Sequence, residues 1–145
     1  MPERDLVAGV VQLANLFTRK LGPVFERANV TPQQWAVLSV LGSAEGPMSL
    51  AAVAREMLVS KQNMTGMVAR LEQLGFAERS GDPKDLRSSR VQLTRKGRAL
   101  LEKTRPAYAE WLERIGGDNL SDRDLAALSR GINKLIDALD SSERD

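Results

Sequence analysis

Apolar residues recur at spacings of three and four along most of this chain, so nearly all of it reads as helix. Leu6, Val10, Leu13, Phe17 and Leu21 form a stripe that predicts a first helix from about Glu3 to Ala28. Pro23 falls inside it and removes one backbone hydrogen bond, which predicts a kink but not a stop. A second helix opens at Thr31, with Pro32 in the first helical position and Gln34 placed to complete a capping box. Val30 and Trp35 stand where a hydrophobic staple pairs. This helix carries Trp35, Leu38 and Leu41 and ends near Gly42, before a turn at Glu45-Gly46-Pro47. Ser49 caps a short third helix that turns Leu50, Val53, Ala54 and Met57 inward. After a tight turn at Leu58-Val59, Ser60 caps a fourth, with Met64, Met67, Val68, Leu71 and Leu74 on its apolar side and Gly75 as its left-handed end.

The helical period then lapses. Residues 76–80 and 90–93 read as two short strands around a loop that opens at Gly81-Asp82-Pro83. Thr94 caps a fifth helix, expected to be long and broken at Pro106. A turn at Gly116-Gly117-Asp118-Asn119 follows. Ser121 caps the last helix, where Asp122 and Asp124 suit the positive end of the helix dipole. Leu125, Leu128, Ile132, Leu135, Ile136 and Leu139 line one side of it.

Two short helices joined by a tight turn, followed by a two-stranded hairpin, make a winged helix-turn-helix. The expected fold is therefore mainly α with a small β-hairpin. Residues 1–30 form a dimerisation helix, 31–97 the winged lobe and 98–145 the C-terminal dimerisation helices, together one compact domain. The long apolar stripes of the first, fifth and sixth helices exceed what one subunit can cover. Pairing them about a two-fold axis would bury Leu6, Val10, Leu13, Ile115, Leu128, Ile132, Leu135 and Leu139 in a homodimer interface.

Composition removes several kinds of chemistry. The chain has no cysteine and no histidine, which excludes thiol redox sensing and takes away the usual general base and the commonest metal ligand. No paired acidic motif suggests a carboxylate site, so neither an enzyme nor a cofactor is expected. No apolar run is long enough to span a bilayer, and the first residues lack a signal-peptide pattern, so a cytoplasmic protein without a membrane partner is expected.

The net charge of +2 hides an asymmetry. Residues 79–105 hold nine Lys/Arg against three Asp/Glu, whereas residues 106–145 hold five against nine. A basic patch of this kind suits a polyanion on one side of the molecule. The fourth helix presents Ser60, Lys61, Gln62, Asn63, Thr65, Gly66 and Arg70 away from its apolar side. Asn and Gln can bond adenine in bidentate fashion at the major-groove edge, while Lys61 and Arg70 suit phosphates. Gly66 would let the helix approach a DNA backbone closely. In the hairpin, Lys84, Asp85, Arg87, Ser88 and Arg90 form the candidate wing contacts. Arg87, near the loop tip, can enter a narrow minor groove. Asp85 makes sense as the partner of an arginine that fixes the loop's shape, and Arg90 either holds the loop or touches phosphate.

The segment Asp85-Leu-Arg87-Ser-Ser-Arg90-Val-Gln-Leu-Thr94-Arg-Lys-Gly97 resembles the wing signature of MarR-family transcriptional regulators: Asp-x-Arg, a few residues, then Val-x-Leu-Thr-x-x-Gly. Residues 31–38 are similar to that family's second-helix start and residues 60–75 to its recognition helix. Arg105-Pro106 and Leu120-Ser121 fall where the family breaks and restarts its C-terminal helices. The resemblance covers nearly the whole chain. It implies a homodimer on double-stranded DNA, reading an imperfect palindrome whose half-sites lie ~34 Å apart. It also implies a repressor released by a small-molecule effector, often aromatic or anionic, bound between the dimer helices and the DNA lobe. Phe17, Trp35 and Trp111 are the candidates to line such a cleft, with Arg19 or Lys20 answering a carboxylate. Taken one by one, each is better read as a core aromatic or a surface cation.

A winged helix used only as a protein-interaction module is the alternative. The two readings separate on Arg87→Ala. If Arg87 reads the minor groove, this change weakens DNA binding by about 1–3 kcal/mol. An unchanged binding isotherm removes Arg87 from the interface.

Overall fold

The computed structural model describes residues 5–81, 89–117 and 119–144. Helix α1 (Leu6–Glu26) starts where the Asp5 carboxylate accepts the Ala8 N–H at 2.9 Å. That cap sets its first residue at Leu6, where the apolar stripe begins, and not at Glu3. Pro23 lies inside α1 without ending it. The chain turns out of α1 at Asn29, which adopts a left-handed φ of 62°, and enters α2 (Pro32–Ser43) through a complete capping box. The Gln34 N–H donates to Thr31 Oγ1 at 3.1 Å, and the Thr31 N–H donates to Gln34 Oε1 at 3.0 Å.

Strand β1 (Met48–Ser49) leads into α3 (Leu50–Met57), capped by Ser49. Leu58 then takes a left-handed φ of 56°, which compresses the connection to α4 (Lys61–Gln73). Gly75, at φ 83°, turns the chain into β2 (Ala77–Ser80). Strand β3 (Arg90–Leu93) returns to α5 (Arg95–Gly116), and α6 (Asp122–Arg144) follows. Ser121 Oγ and the Asp124 carboxylate cap the start of α6 reciprocally.

Two expectations need correction. The sheet is not a two-stranded hairpin: β3 lies between β2 and β1, both antiparallel to it, with Met48 opposite Val91 and Ala77 opposite Leu93. A two-residue strand shows no alternation that a sequence pattern can reveal. Its backbone groups simply find partners in the sheet, as buried backbone must. The second correction is α5, which runs unbroken through Pro106. The proline removes one donor and crowds the carbonyl one turn back, at a cost of about 3 kcal/mol. Burial on both sides of it, at Leu100, Leu101 and Thr104 before and Trp111 after, offsets that cost.

The chain divides into two compact units, residues 1–105 and 106–145, with the division inside α5. In the first unit the core is Phe25 of α1, Val37 and Leu38 of α2, Val53 of α3, Met64, Val68 and Leu71 of α4, and Val91 of β3, all essentially inaccessible. Each such side chain contributes roughly 1.5–3 kcal/mol on burial. The predicted inward residues of α4 are therefore the ones that hold it, with Met67 and Leu74 only partly covered. Trp35 joins three helices: its ring stacks on Phe25 at 4.9 Å between centroids, and its Nε1 donates to Thr104 Oγ1 at 2.9 Å. Among the described residues, no helix is long and apolar enough to cross a membrane.

The α4–β2–α5 junction has no slack. A Cβ built on Gly97 would lie 2.1 Å from the Phe76 carbonyl oxygen, whereas one on Gly46 meets nothing within 4 Å. Gly97→Ala should therefore cost about 1–3 kcal/mol, at the upper end because the obstructing atom is backbone. Gly46→Ala should be close to neutral. Urea denaturation of the two variants checks this, and equal midpoints would mean that the junction relaxes freely.

Candidate nucleic-acid interface

The geometry of α4 follows from its cap. The Asn63 N–H donates to Ser60 Oγ at 3.1 Å, which starts the helix so that Met64, Val68 and Leu71 face the core. Helical spacing then places Lys61, Gln62, Asn63, Thr65 and Gly66 outward, and all are exposed. No acidic residue lies in the first turn. Thr65 Oγ1 is engaged with the Lys61 carbonyl at 2.9 Å, so its hydroxyl proton already has an acceptor. Gly66 is informative because nothing among the described residues requires it: a Cβ there would meet none of their atoms within 4 Å. Packing gives no reason for a glycine in the middle of a helix, where it is destabilising by roughly 0.5–1 kcal/mol relative to alanine.

Arg70 is exposed about one turn beyond Gly66, and its Nη1 donates to Gln73 Oε1 at 3.3 Å. It also lines a groove of about 750 Å³ with Thr18, Arg19, Gly22 and Glu26 of α1 and with Thr31 and Gln34 at the start of α2. Arg70 thus stands at the wall nearest α1 and apart from the helix's leading end.

At the base of the wing, the Arg79 guanidinium of β2 donates to the Glu72 carboxylate of α4 at 2.6 Å. Gln92 Nε2 of β3 donates to Glu78 Oε1 of β2 at 2.9 Å. The first ties the hairpin to α4, and the second ties its two strands together. The sequence reading missed them, although opposite charges seven residues apart on either side of a left-handed glycine were there to be noticed. Arg90 opens β3, and its Nη1 donates to the Ser89 carbonyl at 3.3 Å. Lys84, Asp85, Arg87 and Ser88, the other expected wing contacts, lie outside the described residues.

The four residues named for an effector cleft do not come together in the groove. Arg19 lines it. Phe17 is exposed on α1, Trp35 is occupied by Phe25 and Thr104, and Trp111 is buried in the second unit. Trp35 is taken by packing. Among the described residues, no cluster of Asp and Glu is arranged to hold a metal ion.

Comparison with known proteins gives a consistent picture. The family model described as "MarR family" matches residues 28–88. The chain is 31% identical over 140 residues to the transcriptional activatory protein BadR of Rhodopseudomonas palustris, covering 92% of this chain and 75% of that one. Its fold matches a crystal structure of the S. aureus MepR–DNA complex with a TM-score of 0.81 at 17% identity, over 96% of this chain and 99% of that one. It also matches a structure of Bordetella bronchiseptica BpsR, solved to explain regulation of DNA binding by 6-hydroxynicotinic acid. There the TM-score is 0.79 at 23% identity, over 94% of this chain and 96% of that one. With a winged lobe, a polar outward helix and these relatives, the chain belongs to the MarR family of DNA-binding transcription regulators.

Proposed function

We propose that this regulator works as a homodimer on an imperfect palindrome in double-stranded DNA, acting as a repressor that lets go when a small molecule binds. The observation that carries the DNA reading is the outward face of α4. It is polar, free of acidic residues in its first turn, and built around a glycine that packing does not require. On DNA, Gln62 and Asn63 would read base edges, Lys61 would meet phosphate, and Gly66 would allow close approach. The wing, through Arg87 and its neighbours, would reach the adjacent minor groove.

The dimer reading rests on exposed apolar surface. In the single chain Leu6 of α1 is 61% exposed and Leu139 of α6 is 66% exposed, and Val10, Leu13, Ile115, Leu128, Ile132 and Leu135 are exposed as well. Val7, Val11 and Leu16 extend the apolar surface of α1 beyond the predicted stripe. Apolar surface on this scale marks an interaction site. The effector reading rests on the groove flanked by Arg19 and Arg70, which joins α1 to the recognition helix and suits a small anion. The named relative BadR is an activatory protein, which favours activation as the second reading of the regulatory sign.

Selection of bound fragments from genomic DNA, followed by binding to the recovered site at several salt concentrations, tests the core of this. A short palindromic site and a steep fall of affinity with salt are expected. No enrichment in the presence or absence of added aromatic acids would defeat it. A reporter gene placed behind the recovered site then gives the sign of regulation.

Gly66→Ala offers a sharper check, because its two effects have opposite signs. It should raise folding stability by about 0.5–1 kcal/mol while weakening binding to the selected site. A stabilised variant that binds as well as the wild type would remove the close approach at Gly66. Truncation before Ser121 should abolish the dimer in sedimentation velocity, and a persistent dimer would move the interface elsewhere.

A further inference from the structure

Three helices of the first unit are left through a residue in the left-handed region. Asn29 follows α1 at φ 62°, Gly75 follows α4 at φ 83°, and Leu58 follows α3 at φ 56°. Asparagine and glycine adopt this conformation readily, whereas for a bulky side chain it is an outlier. Burial does not explain the leucine either. Leu58 is 54% exposed, and Val59 beside it is 36% exposed. The other large exposed hydrophobics among the described residues lie on α1 or in the second unit, where the homodimer reading takes them up. Leu58 and Val59 belong to neither. They form the connection between α3 and α4.

Their neighbours in the chain decide what they can meet. They directly precede the Ser60 N-cap, and the exposed Lys61, Gln62 and Asn63 follow. Three residues of chain span at most about 11 Å, and the major groove of B-DNA is about 12 Å wide. A helix that enters the groove by its leading end therefore carries Leu58 to the groove with it. Base edges there present donors, acceptors and one apolar group, the thymine C5-methyl.

We propose, on the reading that α4 enters the major groove by its leading end, that Leu58 is a specificity-determining residue. Its side chain would lie against a thymine methyl group in each half-site, with Val59 flanking the contact. Strain held at a residue that the fold does not need is a feature of functional sites, and burial against the methyl group on DNA would offset it. The contact would distinguish thymine from cytosine, which lacks the methyl. It would add apolar readout to the hydrogen bonding of Gln62 and Asn63.

The site recovered by genomic selection, synthesised with thymine or with uracil throughout, tests this, because uracil lacks only the methyl group. Leu58→Gly and Leu58→Asn both suit the left-handed turn and should melt no lower than the wild type. Each should weaken binding to the thymine site by about fourfold per half-site, the worth of one buried methyl group. On the uracil site both variants should bind like the wild type. The contact is overturned if the variants match the wild type on thymine DNA, which would leave a partner protein as the occupant of Leu58. Equal losses on both DNAs overturn it as well and assign the leucine to the turn. Lower melting of both variants removes its premise. In each of these cases the wild type still binds its site, so the DNA reading stands. A wild type that selects no site defeats that reading, and the Leu58 contact falls with it.

Discussion

The position of the recognition helix depends on how its C-terminal end is held. Four groups meet there. Thr94 Oγ1 donates to the Gly75 carbonyl at 2.6 Å, and the Thr94 N–H donates to the Phe76 carbonyl at 3.1 Å. Lys96 Nζ reaches the Leu74 carbonyl at 2.9 Å, and Gly97 lies against Phe76 so closely that no side chain fits. The last carbonyls of a helix have no partner within it, and here residues at the start of α5 supply donors to them and to the carbonyls of the following turn. The same threonine accepts the Gly97 N–H at 3.1 Å and so caps α5. One short segment therefore ends α4, closes the sheet and begins α5. The outward residues of α4 inherit their direction from this junction and from the core contacts of Met64, Val68 and Leu71.

Much of this was legible in the sequence because its causes are local. Thr31 with Gln34, Ser60 ahead of Asn63, and Ser121 with Asp124 are caps whose partners lie three residues away, and each forms as expected. Gly75 ends α4 for a reason contained in one residue. The apolar face of α4 was readable from its period. Strand β1 was not readable, because two residues carry no period and its pairing with Val91 and Arg90 joins chain about 40 residues away. The break at Pro106 was overestimated: the local penalty of a proline is real, but burial along α5 outweighs it. The engagements of Trp35 were likewise out of local reach. Trp35 is committed by Phe25, ten residues before it, and by Thr104, 69 residues after it.

The wing and the recognition helix differ in what fixes them. Helix α4 is set by burial, which is non-directional but large. The base of the wing is set by the Glu72–Arg79 pair and the Glu78–Gln92 hydrogen bond, both partly or wholly exposed. Exposed polar links contribute little stability each. Their value here is directional, because together they tie β2 to α4 on one side and to β3 on the other. A lobe built this way holds α4 by burial and aligns β2 by directional polar links.

That difference bears on how a signal can pass through the lobe. Helix α4 has a buried flank that resists displacement and two grooves near its C-terminal half, each touching Leu74. A ligand cannot easily shift the core contacts of Val68 or Leu71, since close-packed interiors do not deform continuously. It can more easily change the polar holds at the exposed end, where Arg70 meets Gln73 and Lys96 meets the Leu74 carbonyl. A tilt of α4 pivoting at Val68 and Leu71 would swing Lys61, Gln62 and Asn63 through a larger arc than Leu74, because they stand farther from that pivot. Small changes at Leu74 are thereby enlarged where the protein would meet base edges. The C-terminal polar contacts, and not the core, are where displacement of this helix is physically cheapest.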